Sequence, residues 1–170
     1  MTTIDTTAPV AGSDLTEPVA VARRLRDEFR EGAAERDRHR QFPYAQCDAF
    51  RASGLLGLMV PRELGGYGGS FRELMEVVIA ISSGDSNIGQ MYQLHTGGIR
   101  LLQEFASPEV QARWLPRFAS GELWITNAYS ERGTKSVNDF KTTVWPDGDG
   151  WRLNGTKFYC TGSQIGRAHV

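Results

Sequence analysis

The sequence offers few of the residues that announce a function on their own: two cysteines, three histidines and no long apolar run in 170 residues. Cys47 and Cys160 are far apart and match neither a zinc-ligand spacing nor a disulfide framework, so they read as thiols in a reducing compartment. No metal site is expected. No stretch of about 18 apolar residues occurs, which excludes a membrane-spanning helix. Nineteen basic residues against 20 acidic ones leave a formal charge of −1, which gives no electrostatic footprint for nucleic acid or an anionic membrane surface. Residues 1–14 lack both the basic start and the apolar centre of a signal peptide and read as a disordered lead, so the expected compartment is the cytoplasm.

What is present suits a water-facing globular chain of one domain, or one and a fraction: 40% hydrophobic and 23% charged residues. From Leu15 to about Arg40 apolar residues recur at Leu15, Val19, Ala22, Leu25, Phe29 and Ala33, the stripe of an amphipathic helix. A short helix is expected over 44–53, with Gly54 as its stop. The run that follows, GLLGLMVPRELGGYGGS, carries Gly65, Gly66, Gly68 and Gly69. Glycines before a helix can bring backbone amides to a phosphate, but Phe71 stands where a G-x-G-x-x-G pattern needs its last glycine, and no P-loop lysine follows. The stretch reads instead as a tight irregular turn covering the core.

A helix over 71–82 is expected to bury Phe71, Leu74, Met75, Val78 and Ile79, and SGDSN ends it. The next, over 88–105, places Ile88, Tyr92, His95, Ile99 and Leu102 on one stripe. His95 therefore faces either the core or a cavity, as a satisfied core histidine or as a proton handler at a pocket wall. Ser107, Pro108 and Glu109 supply an N-cap, a first-turn proline and an acidic first turn for a helix running to about Ser120. After Gly121 the period becomes strand-like, and a domain boundary is placed there. The stretch 123–163 reads as strand, loop, strand, a turn over Pro146–Gly150, and a final strand in which Tyr159 and Thr161 share a face.

These elements, taken in order, resemble the acyl-CoA dehydrogenase flavoprotein superfamily. The resemblance rests on MVPRELGGYGGS, on SPEVQARWLPRFASGE before the β region, on a strand ending in Ser130-Glu131, and on the hairpin ending NGTKFYCTGS. The segment NAYSERGTKSVNDFKTT most resembles the flavin-dependent monooxygenases of sulfur acquisition and dibenzothiophene desulfurisation. The superfamily's dehydrogenases carry T-E-P-x-A-G-S-D there, and both proline and aspartate are missing from this chain.

The resemblance implies an α+β fold: a disordered lead at 1–14, an all-α N-terminal domain over 15–121, the beginning of a small β-barrel domain over 122–163, and a flavin (FMN or FAD) between the two domains. It implies that Tyr129, Ser130, Ser136, Tyr159 and Thr161 hold the flavin, and that His95, Asn127 and Thr161 act at its reactive face. It further implies a small-molecule substrate, most simply an organosulfur compound oxygenated with O2, a separate flavin reductase as partner, and a homotetramer. The alternatives are an acyl-CoA dehydrogenase using FAD and a non-catalytic helical binding module. Family members continue well beyond this length into a C-terminal helical bundle. Ile165–Val170 has no family counterpart and matches the translation of a sequencing adapter. The chain is thus expected to be a truncated fragment, inactive alone, with 164–170 a non-native tail and His169 no catalyst.

Overall fold

The computed structural model describes residues 18–136 and 138–163. Leu15, the lead at 1–14 and the tail at 164–170 lie outside the described residues. Among the described residues six α-helices precede one β-hairpin: α1 (Pro18–Arg30), α2 (Ala33–Arg38), α3 (Tyr44–Ala52), α4 (Phe71–Gly84), α5 (Ser86–Phe105), α6 (Pro108–Ala119), β1 (Thr143–Asp147) and β2 (Gly150–Asn154). Among the described residues no helix is long and apolar enough to cross a membrane.

The long first helix expected from periodicity is two helices. Gly32 sits at φ 70°, a left-handed conformation that costs glycine nothing, and the chain restarts at Ala33 in a new direction. α1 keeps the expected stripe, burying Ala22, Leu25 and Phe29. It packs on α4, where Gly84 lets the Arg26 carbonyl approach so closely that a Cβ would collide with it. This contact also corrects the face assigned to α4. The helix buries Leu74, Val77, Ala80 and Ile81, while Phe71 and Ile79 are each 68% exposed. Its start is fixed by a capping box: the Ser70 hydroxyl accepts from the Glu73 amide at 3.2 Å and the Glu73 carboxylate accepts from the Ser70 amide at 2.7 Å. α6 begins as its sequence indicates, with the Ser107 hydroxyl accepting from the Val110 amide and Pro108 in the first turn, and Gly121 at φ 78° follows its end.

The core is centred on α5. Tyr92 and Phe50 pack with ring centroids 4.8 Å apart, and Phe29 lies against Phe50 at 6.2 Å. Around them Leu55, Leu56, Leu58, Ile81, Ile88, Ile99 and Leu115 are fully buried. Burying Leu55–Val60 leaves backbone carbonyls that the 3-10 turn at Leu55–Gly57 and the bend after it satisfy only in part. α5 answers three of them: the Tyr92 hydroxyl donates to Leu55 O at 3.0 Å, His95 Nε2 to Leu56 O at 2.9 Å, and Gln103 Nε2 to Met59 O at 2.8 Å. The expected tight turn over the core is therefore present, with short 3-10 turns at Leu55–Gly57 and Arg62–Leu64.

The β region is smaller than expected. β1 and β2 form an antiparallel pair from Thr143↔Asn154 to Asp147↔Gly150, so the turn is only Gly148-Asp149 and Pro146 lies inside β1, opposite Trp151. On a two-stranded hairpin every strand is an edge, where proline's missing N–H is tolerated. Residues 123–129 form no strand, and one bridge, Ser130↔Phe158, joins the end of this segment to the chain after the hairpin. Nor does the final strand, expected over 151–163, run its full length: β2 stops at Asn154, Tyr159 has φ 55°, and a turn follows from Thr161 to Ser163.

Candidate functional site

The candidate site lies where the polar segments meet. The carboxylate of Glu131, with its side chain only 4% exposed, accepts the Lys141 amide at 2.5 Å, the Thr142 amide at 3.0 Å and the Lys157 ammonium at 2.5 Å, together with the Thr142 hydroxyl. The Lys157 ammonium and the Thr142 hydroxyl, in that order, hold this carboxyl far below its ordinary value, at about 2. The Ser130 carbonyl accepts from the Phe158 amide at 2.8 Å, and the Tyr129 hydroxyl donates to Asn138 Oδ1 at 2.8 Å. Tyr129 and Phe140 meet edge to face at 5.0 Å.

These contacts frame a cleft of about 320 Å3 lined by Tyr129, Ser130, Glu131, Thr134, Ser136, Asp139, Phe140 and Tyr159. Its volume is in the range of small-molecule sites, roughly 300–1,000 Å3. Aromatic faces next to hydroxyl donors can hold a planar ring that is apolar in body and polar at its rim. The two carboxylates of the lining are already engaged, Glu131 as above and Asp139 by the Lys135 amide at 2.9 Å.

Four of the five residues expected to hold a cofactor thus line one cleft: Tyr129, Ser130, Ser136 and Tyr159. Thr161 does not join them. With Tyr159 at positive φ the chain turns, so the two side chains do not share a strand face. Thr161 instead lines a second cleft, of about 410 Å3, between the α2–α3 connection and the start of α5, with Arg36, Arg40, Phe42, Asn87, Gln90 and Met91 among its neighbours. Arg36 is held there by Asp85 at 2.9 Å, and Asp85 also caps α5 through the Asn87 amide at 3.0 Å. Asn127 is exposed and lines neither cleft.

His95 lies in neither cleft and takes the core alternative. It is fully buried, and both ring nitrogens serve the backbone. Since the Ile125 amide can only donate, Nδ1 accepts from it at 3.0 Å; Nε2 must then carry the proton that goes to Leu56 O. Burial drives its pKa down to about 4, only partly offset by the bond to Leu56 O. With both nitrogens engaged by backbone partners, the neutral ring ties the segment at Ile125 to α5.

Sequence reasoning gave no role to Lys157 or Glu131, although NGTK and Ser130-Glu131 were both singled out. It also passed over Asn87, Gln90 and Met91, which face the second cleft from the α5 stripe next to the one that fills the core.

The acyl-CoA dehydrogenase N-terminal domain matches residues 19–122, most of the helical part of the chain. The chain belongs to the acyl-CoA dehydrogenase family. Dibenzothiophene monooxygenase of Rhodococcus qingshengii is 38% identical over 149 residues, which are 87% of this chain and 36% of that protein. The FMN-bound crystal structure of TdsC from Paenibacillus sp. A11-2 matches with a TM-score of 0.77 and 37% identity, over 86% of this chain and 36% of that one. Methanesulfinate monooxygenase MsuC from Pseudomonas fluorescens matches with a TM-score of 0.76 and 32% identity, over 86% of this chain and 36% of that one. The α+β arrangement of a helical domain followed by antiparallel strands is therefore that of the family. The chain spans about a third of the length of these relatives.

Proposed function

We propose that the whole protein carrying this chain is a flavin-dependent monooxygenase that uses reduced flavin from a separate reductase to oxygenate a small organosulfur compound. The observation that carries this reading is the single cleft gathering Tyr129, Ser130, Ser136 and Tyr159. Its resemblance to monooxygenases, one of them solved with FMN, supports the choice of cofactor and of reaction.

Tyr129, Phe140 and Tyr159 would supply the apolar contact for the ring system, and the hydroxyls of Ser130 and Ser136 the hydrogen bonds at its rim. A bound reduced flavin supplies two electrons to O2; one oxygen atom enters the sulfur substrate and the other leaves as water with two protons. The protein's part is to exclude bulk water and orient the partners. Thr161 and Gln90, in the second cleft, would receive the substrate, with Phe42 and Met91 as apolar walls. His95 would act on this site through the segment that it anchors at Ile125, as a positioning residue.

The test is turnover of the whole protein with FMN, a flavin reductase, dibenzothiophene and isotopically labelled O2. One labelled oxygen atom per sulfoxide is the expected outcome. A protein that purifies with bound flavin and is bleached anaerobically by an acyl-CoA thioester would make it a dehydrogenase instead.

A further inference from the structure

The cleft that the flavin reading uses is assembled from three separate stretches of chain, and one carboxylate holds all three. Glu131 follows the cleft residue Ser130; Lys141 and Thr142, whose amides it accepts, follow the cleft residue Phe140; Lys157, its counter-ion, precedes Phe158 and the cleft residue Tyr159. Lys157 extends the set, donating to the Tyr129 carbonyl at 3.2 Å while its ammonium lies 4.4 Å from the centroid of the Phe140 ring. Both side chains of the pair are shielded, at 21% and 4% exposure. Among the described residues, the hydrogen bonds and the ring contact of Glu131 and Lys157 are with the cleft wall or the segments continuous with it.

We propose that Glu131 and Lys157 are positioning residues for the flavin: with the carboxylate fully engaged by the chain, the pair sets the spacing of the Tyr129–Ser130 wall from Phe140 and Tyr159, and so sets flavin affinity through the wall rather than by bonding the flavin. This rests on the flavin reading above. The physical reason is the geometry of one acceptor. A carboxylate has room for about four donors, and here amides, a hydroxyl and an ammonium from two other segments fill it. Removing one member leaves the other ion shielded and unpaired, which is costly enough that the wall rearranges. Because the carboxyl is held near 2, it stays ionised at any working pH and the arrangement does not switch.

The experiment is FMN binding to the whole protein, read by quenching of flavin fluorescence, alongside thermal melting of the helical signal in circular dichroism. Lys157→Met and Glu131→Gln are expected to weaken FMN binding on the order of tenfold, the scale at which outer partners of a bound group act at metal sites. The helical melt should hold, since the core is untouched. Lys157→Arg keeps the charge and the donors and is expected to recover most of the affinity. Arg152→Ala, which removes only the exposed pair with Asp147 on the hairpin, is the control and should bind like the parent. Unchanged affinity in Lys157→Met and Glu131→Gln would overturn the assignment while leaving the flavin reading in place. Affinity lost only in step with the helical signal, without rescue by arginine, would also overturn it. A parent protein that binds neither FMN nor FAD would overturn both together.

Discussion

Burial removes the hydration that a charged imidazole needs, and at His95 the neutral ring is held by two backbone bonds instead. With a folded pKa of about 4 against 6.5, the unfolded chain takes up a proton between these values and the folded chain does not. By linkage the contribution is complete above about pH 6.5 and is lost as pH falls toward about 4, about 3 kcal/mol in all. Glu131 acts in a lower window: its stabilisation is present above its ordinary value of 4.5 and is lost as pH falls toward about 2. His95→Leu should therefore be less stable than the parent at neutral pH, because the Leu56 carbonyl and the Ile125 amide are left unpaired at ~1–3 kcal/mol each. It should also lose less stability on acidification to about pH 4. Urea unfolding at several pH values checks this, and an equally steep loss in the variant would show that another group carries it. The α5 stripe in the sequence put His95 on the inward face; it did not reveal the bonds that distinguish a core residue from a catalyst, because both partners come from distant backbone.

At the scale of elements, the stretch between α3 and α4 shows how much shape glycine can encode. A Cβ on Gly66 would run into the Val60 carbonyl and one on Gly69 into Leu58, so these glycines let two passes of chain lie against each other. Gly66→Ala must displace backbone rather than the flexible end of a side chain. It is expected to cost a few kcal/mol, the range of about 1–3 for overpacking and above, and thermal denaturation would show it. Gly65→Ala is a sharper comparison: nothing crowds that site, so only its φ of 87° penalises the substitution, and the loss should be smaller. A loss at Gly66 no larger than at Gly65 would mean that the chain relaxes around the added methyl and that close approach is not what this glycine serves. Local signals of this kind were legible: the caps at Ser107 and Gly121, the stop at Gly54 and the turn character of Gly65–Gly69 all stand in the sequence as residue types with one physical use. The face of α4 was misread because Phe71 and Ile79 are as apolar as the residues that pack. Hydrophobicity alone cannot rank two overlapping stripes until the position of α1 is known.

At the scale of the whole chain, two levels of order are joined. The helices share a continuous core of buried side chains, whereas all ten residues of the hairpin ladder are exposed, including Trp151 at 73% and Leu153 at 72%. The link between them is the segment held by the Ile125 amide on His95 and by the close approach of Ile125 to Gly98 of α5. This asymmetry explains what the sequence left illegible. A helix is specified by neighbours three and four residues away, but a strand requires a partner that no local pattern names, so the strand expected at 123–130 is absent and the one expected over 151–163 stops at Asn154. A two-stranded hairpin with no covering layer is marginal in water. Amide exchange measured on this chain should therefore divide it sharply: amides of α5 from Tyr92 to Ile99 are expected to open only with global unfolding, while ladder amides from Thr143 to Asn154 exchange orders of magnitude faster. If the ladder is instead as protected as α5, the hairpin must be covered in solution by another copy of the chain. Dilution would then decide the matter, since protection supplied by a second copy falls with concentration and protection built into the chain does not.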